Sequence, residues 1–177
     1  MGHGGCGKTT LVEAIAYQTG ITARMGKVTD GNTISDYDKE EQKRQFSIST
    51  SVVPVEFEDI KINFLDTPGY FDFVGEVEEA CHAAGAAVIV INGKSGVEVG
   101  TLKAWELCEK YKLPRLFFVT GMDDDQASYR KIVLELNDRF GRKVAPFHVP
   151  IRENEKFVGF VNVVKMKGRR FINDTSE

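Results

Sequence analysis

Four short runs of nearly continuous apolar character limit the folds open to this chain: SVVPVEF (51–57), KINFLD (61–66), AAVIVI (86–91) and RLFFVT (115–120). Strands apolar on both faces must be covered on both faces, as happens inside a parallel sheet flanked by helices. Segments with helical spacing alternate with them at 8–20, 73–85, 100–112 and 126–140. In the first of these, Leu11, Val12 and Ile15 share a face and Gly20 supplies a stop. The alternation predicts an α/β fold with a doubly wound, mostly parallel sheet. Pro54 and the short Glu58-Asp59 turn predict that 51–57 and 61–66 form a hairpin, with 51–57 towards an edge. Residues 143–150 read as a last strand, and KFVGFVNVV beyond it is β-like. The closing KMKGRRFINDTSE is expected to stop without a packing partner. Residues 21–50 are polar, charged and poorly periodic, and a loop of that length in a compact domain is usually functional or mobile.

At 177 residues, 42% of them apolar, the chain has the size and composition of one globular domain with a fragment of a second. A net charge of −3 gives no general nucleic-acid footprint, so no specific DNA partner is expected and RNA contact would need a local patch. Cys6, Cys81 and Cys108 are odd in number and lack metal-ligand spacing, which predicts thiols in a reducing compartment. No apolar run has the length of a membrane span and nothing reads as a signal peptide, so the expected location is cytoplasmic, with no membrane partner.

The chain opens MGHGGCGKTT, which carries two overlapping glycine patterns. Gly2, Gly4 and Gly7 spell the dinucleotide-binding G-x-G-x-x-G, while Gly2, Gly7, Lys8 and Thr9 spell the phosphate-loop G-x-x-x-x-G-K-T. The second accounts for the Lys-Thr pair and the first does not; Asp30 lies at ribose-acid distance but in a loop. In a phosphate loop, Gly2, His3, Gly4, Gly5, Cys6, Gly7, Lys8, Thr9 and Thr10 form the nucleotide cradle. Backbone N–H groups turn inward around the phosphates, Lys8 reaches the β- and γ-phosphates, and the Thr9 hydroxyl ligates Mg²⁺. FLDTPG (64–69) puts an aspartate at a strand end, two residues, then a glycine. Asp66 there can hold the Mg²⁺ shell and the Gly69 N–H can sense a γ-phosphate, although the same letters also make a plain turn. In VTGMDDD (119–125), Asp123 can accept from guanine N1–H and N2–H₂, while Asp124 and Asp125 suit the start of the next helix. Following the phosphate loop in switch order, these motifs favour a nucleotide switch over two unrelated turns.

In this order, GHGGCGKTT, DYDKEEQKRQFSIST, INFLDTPGYFDFVGEV, KSGVEVGTLKAW and VTGMD resemble the GTP-binding domain of elongation factor G. More narrowly they resemble its second-type bacterial paralogues, and KFVGFVNVVKMKG resembles the start of that family's insert subdomain. The resemblance implies a P-loop NTPase G domain over residues 1–152 and a truncated start of the inserted subdomain over 153–177. It implies GTP/GDP and Mg²⁺ as ligands, hydrolysis of GTP as the reaction, and the ribosome as partner of the full-length factor in translation elongation. Carried over residue by residue, Ser47 joins Thr9 and Asp66 on Mg²⁺, Thr120 and Asp123 meet the base, and Lys8, Gly69 and Tyr70 serve catalysis. It further implies an apolar strand ahead of the loop, so the expectation is an N-terminally truncated sheet lacking its first strand.

Three departures from the family pattern stand out. Arg44-Gln45-Phe46-Ser47-Ile48 replaces Arg-Gly-Ile-Thr-Ile, which keeps a hydroxyl at Ser47 but puts a side chain at Gln45. Thr120-Gly121-Met122-Asp123 replaces Asn-Lys-x-Asp, removing the lysine stem that covers the base. Tyr70 replaces the histidine that orients the attacking water; its phenol either still serves by hydrogen bonding or packs in the second switch. Two other readings therefore stay open: a GTP-regulated ribosome-binding factor with little hydrolysis, and a fragment inactive by itself. A calcium loop over Asp30, Asn32 and Glu41 fails because Ile34 and Ser35 stand where ligand oxygen and glycine are needed. His82 and His148 are isolated, Leu102, Trp105 and Leu107 read as core and surface of one helix, and Lys165, Lys167, Arg169 and Arg170 as a solvated tail.

Overall fold

The structure, a computed structural model, describes residues 1–154 and 156–171, with Arg142 described by its backbone alone. These residues divide into two compact units: Met1–Ile91 with Glu98–Thr120, and Asn92–Val97 with the chain from Gly121 onward.

In the first unit, α1 (Lys8–Gln18) begins directly at the glycine loop, with Gly7 as its N-cap in the left-handed conformation at φ 93°. The long polar segment holds a 3₁₀ turn at Val28–Asp30 and the short helix α2 (Lys39–Arg44). Strands β1 (Ser51–Phe57) and β2 (Ile60–Asp66) form the predicted antiparallel hairpin, with Ser51 opposite Asp66 and Phe57 opposite Ile60. Glu58 and Asp59 both take positive φ, 47° and 64°, the pairing that a tight two-residue hairpin turn requires. Helix α3 (Val74–Ala83) follows, and then β3 (Ala87–Asn92), α4 (Val99–Lys110) and β4 (Arg115–Thr120). β3 and β4 are neighbours in one sheet, joined through α4, the helical crossover that parallel strands need.

Two apolar clusters hold this unit together. Ile89 of β3 is fully buried among Cys81 of α3, Ala104 and Cys108 of α4, and Leu113, with Trp105 stacked on Phe117 at 5.8 Å. Val12 and Ala16 of α1 meet Val53 and Val55 of β1, flanked by Ile34 and Phe64. The hairpin is covered on one face only: Val53 and Val55 are buried, whereas Val52 is 60% exposed. No strand precedes the glycine loop among the described residues. Met1 and Gly2 instead run beside β3: the terminal ammonium donates to Val88 O (2.9 Å), Val90 N donates to Met1 O (2.8 Å), and Gly2 bridges Val90 in parallel sense.

The second unit carries α5 (Tyr129–Phe140) and the antiparallel sheet β5 (His148–Glu153), β6 (Lys156–Asn162) and β7 (Lys167–Arg170), in that spatial order. Three local expectations are corrected here. The last predicted strand begins at His148 and not at 143. Part of the expected tail pairs with β6 as β7, because ladder formation uses backbone groups and needs no apolar side chains; residues 172–177 lie outside the described residues. The N-cap of α5 is Ser128, which accepts from Lys131 N, while Asp124 accepts from Gln126 N in the preceding turn. Among the described residues, no helix is long and apolar enough to cross a membrane.

Replacing Ile89 with Ala removes a fully buried side chain from the β3–α3–α4 cluster. The expected loss is about 2–5 kcal/mol of unfolding free energy, read from urea unfolding curves.

Candidate functional site

The glycine loop turns tightly because its glycines permit it. Gly5 and Gly7 take positive φ, and a Cβ on Gly2 would overlap the Val90 carbonyl oxygen. The loop folds back on the lysine that follows it. Lys8 is buried, and its ammonium donates to His3 O at 2.8 Å, with Cys6 Sγ 3.9 Å away. The Cys6 thiol is buried as well, and that burial pushes its pKa up despite the neighbouring Lys8 charge. The side chain of Thr120, at the end of β4, donates to Cys6 O at 2.7 Å and ties that strand to the loop.

The end of β2 brings a second motif to the same place. Thr9 Oγ1 donates to Asp66 Oδ2 at 2.8 Å, and both residues are buried. A Cβ on Gly69 would overlap Lys8 Nζ and lie 2.8 Å from Gly4 N, so only glycine allows the DTPG turn to approach this closely. Tyr70 lies over the loop: a Cβ on Gly4 would stand 3.2 Å from its ring. The Tyr70 ring also packs on Phe46, 4.7 Å between centroids. His3 lies 3.6 Å from Glu98 Oε1, and its ring faces Phe71 at 6.2 Å.

The polar segment 21–50 supplies the third side. Ser47 Oγ is 3.3 Å from Thr9 Oγ1 and donates to Asp36 Oδ1 at 2.7 Å. Two buried carboxylates, Asp36 and Asp66, therefore share one cluster with two hydroxyls. Burial raises the pKa of each, opposed at Asp36 by the Ser47 hydrogen bond and at Asp66 by Thr9. Asp36 Oδ2 and Thr67 Oγ1 are buried without a hydrogen-bond partner, while the Ser35 side chain supports the Asp66 carboxylate. Carboxylate and hydroxyl oxygens are hard donors of the kind that divalent cations take, and among the described residues no group of three or more carboxylate, imidazole or thiol side chains is placed to hold a metal ion.

Residues 21–50 hold their course through buried carboxylates as well as through the apolar contacts of Ile34 and Phe46. Glu13 on α1 accepts from Ile34 N (2.8 Å), and Glu41 accepts from Ile48 N (2.8 Å) and Ser49 N (3.0 Å). Asp38 and Glu41 also form a capping box at the start of α2. Gln45 ends that helix in the left-handed conformation at φ 58°, a position that suits glycine better.

The fold thus brings Lys8, Thr9, Ser47, Asp66, Gly69, Tyr70 and Thr120 to the glycine loop, while Thr10 is exposed on α1. Asp123 belongs to the second unit, exposed in the turn between β4 and α5. No local signal marks Asp36, and Phe46 is legible only as part of a departure from the family pattern, not as a packing partner of Tyr70. The D-x-x-E spacing of Asp38 and Glu41, by contrast, is a legible helix-start signal that the periodicity of the segment does not reveal. Replacing Thr9 with Val removes the hydroxyl that donates to buried Asp66 Oδ2. The expected cost is about 1–3 kcal/mol, read from denaturant unfolding without nucleotide or metal.

Residues 1–173 match the family described as the elongation factor Tu GTP binding domain. An elongation factor G-like protein of Mycobacterium tuberculosis (strain ATCC 25618 / H37Rv) is 39% identical over 150 residues, covering 85% of this chain and 21% of that protein. A mitochondrial ribosome-releasing factor 2 of Drosophila sechellia is 35% identical over 167 residues, 94% of this chain and 24% of that protein. A crystal structure from Thermus thermophilus superposes with a TM-score of 0.92 at 39% identity, covering 97% of this chain and 26% of that one. The chain therefore spans between 21% and 26% of the length of these relatives. With a phosphate loop, a DTPG turn and a TGMD turn in switch order on an α/β P-loop NTPase fold, this chain belongs to the elongation factor Tu GTP-binding domain family and is similar within it to the elongation factor G-like proteins.

Proposed function

We propose that this chain is the nucleotide-binding part of a ribosome-dependent translational GTPase of the cytoplasm, binding GTP and GDP with Mg²⁺ and hydrolysing GTP to GDP and phosphate. On this reading residues 1–152 form the G domain and 153–177 begin an inserted subdomain. The observation that carries the proposal is the meeting of Lys8, Thr9, Ser47, Asp66 and Gly69, drawn from three separate segments, around one glycine loop. The names of the relatives, elongation factor G-like protein and ribosome-releasing factor 2, support the ribosome as partner.

The reaction is attack by water on the γ-phosphorus, with a new P–O bond formed as the bond to the β-phosphate oxygen breaks and its electrons leave with GDP. Lys8 and the inward N–H groups of the loop stabilise charge on the phosphates, which is where most of the catalytic effect in phosphoryl transfer arises. Gly69 offers its N–H to the γ-phosphate. Thr9, Ser47 and Asp66 are the residues that would hold Mg²⁺, and the buried, under-partnered oxygens around them suit a hard cation. Bound there, Mg²⁺ would neutralise charge on the β- and γ-phosphates. Asp123 selects guanine by accepting from N1–H and N2–H₂, and Thr120 anchors the start of that motif to the loop through Cys6 O.

A second reading, a GTP-regulated ribosome-binding factor with little hydrolysis, is favoured by one observation. Tyr70 packs on Phe46 and over Gly4, so its ring is engaged in packing where the family pattern has a histidine. Phosphate release with and without ribosomes separates the two readings, and strong stimulation removes the second. Tyr70→His is expected to raise the stimulated rate by about tenfold or more; an unchanged rate means that the tyrosine does not limit hydrolysis. Titration with GTP, GDP and ATP tests the base assignment: guanine nucleotides are expected to bind tighter, and an ATP preference overturns it.

A further inference from the structure

Asp123 is exposed, and its place in the turn is set by the backbone on either side of it. That turn has its own short-range hydrogen bonds, from Asp124 N to Gly121 O (3.2 Å), Ala127 N to Asp124 O (3.0 Å) and Gln126 N to Asp124 Oδ1 (2.8 Å). Gly121 adopts the left-handed conformation at φ 62°, where a Cβ would meet Asn92 Nδ2 at 3.7 Å and nothing closer, so it does little to restrain the entry to the turn.

Two side chains from elsewhere in the second unit reach the turn: Lys94 Nζ stands 4.0 Å from the Asp124 carboxylate at the surface, and Arg152 grips the backbone itself. Arg152 Nη2 donates to Met122 O at 2.7 Å and to Asp124 O at 2.9 Å, and Nη1 donates to Ala127 O at 3.1 Å. Met122 and Asp124 are the two neighbours of Asp123, so one nitrogen holds the carbonyl on each side of it. A planar guanidinium can do this because its donors diverge in a fixed plane, which a lysine ammonium cannot reproduce. The strand that carries Arg152 is irregular at that point. β5 shifts register against β6 between Ile151 and Arg152, the kind of bulge that re-aims a side chain. The guanidinium makes these bonds although its Nε is buried without a partner.

We infer, on the reading that Asp123 contacts the base, that Arg152 is the positioning residue of the guanine-reading turn. It does not touch the nucleotide. It holds the backbone that aims the Asp123 carboxylate at two donors on one edge of guanine. Two hydrogen bonds to a shared carboxylate need a fixed approach, so loosening the turn erodes discrimination ahead of general affinity for the phosphates.

The experiment compares GDP with inosine diphosphate, which lacks the exocyclic 2-amino group, using Arg152→Ala and Arg152→Lys in the chain as it stands. The unaltered chain is expected to prefer GDP by about tenfold or more. Arg152→Ala is expected to narrow that ratio to about threefold or less while GDP affinity falls by about tenfold; Arg152→Lys should lie between. If both nucleotides weaken by the same factor, or the ratio is unchanged in a variant that melts like the parent, Arg152 is structural only and the inference is overturned. If Arg152→Ala does not fold, Arg152→Lys decides alone: a narrowed ratio supports the inference and an unchanged ratio overturns it. An unaltered chain with no preference for GDP over ADP would instead overturn the base-reading assignment of Asp123, a distinct result.

Discussion

The rest of the site depends on the burial of the Lys8 ammonium inside a loop of glycines. A lysine buried this deeply needs acceptors, and the oxygen that accepts from it is the His3 carbonyl, a backbone group of its own loop. That arrangement requires the chain to turn back on itself within a few residues, hence the positive φ angles at Gly5 and Gly7 and the close approach of Gly2 to β3. It also sets what can stand beside the loop. The DTPG turn comes close enough to meet Lys8 only because position 69 has no side chain.

Around that charge, order in the first unit is divided between two kinds of interaction. The sheet and its helices are held by apolar clusters centred on Ile89 and on Val53 and Val55. The segment between α1 and β1 is held by buried polar side chains: Glu13 and Glu41 accept backbone N–H groups, and Asp36 accepts from Ser47. A segment anchored largely by hydrogen bonds to a few carboxylates, with Ile34 against the core, can exchange polar partners at less cost than a fully packed element.

Much of the fold is legible in the sequence because its signals are local. Alternating apolar runs and helical spacing mark every strand and α-helix of the first unit except α2, and Glu58-Asp59 marks the hairpin turn. The cap of α5 is misread from sequence because Asp124 and Asp125 look like capping residues, whereas Asp124 is used within its own turn and Ser128 takes the cap. The strand β7 escapes notice because Lys167–Arg170 carries no apolar pattern and pairs through its backbone alone.

The sequence by itself determined the α/β alternation, the hairpin, and the order of glycine loop, DTPG and TGMD that marks the family. Each depends on side-chain periodicity or turn chemistry within a few neighbouring residues. Only the tertiary structure decided that Asp36 stands behind Ser47, that Tyr70 packs on Phe46 over Gly4, and that Arg152 clasps the turn bearing Asp123. These contacts join residues distant along the chain. Partners of that kind have no period and no spacing rule, because what selects them is the need of a buried polar group, or a shaped surface, for whatever the folded chain brings beside it.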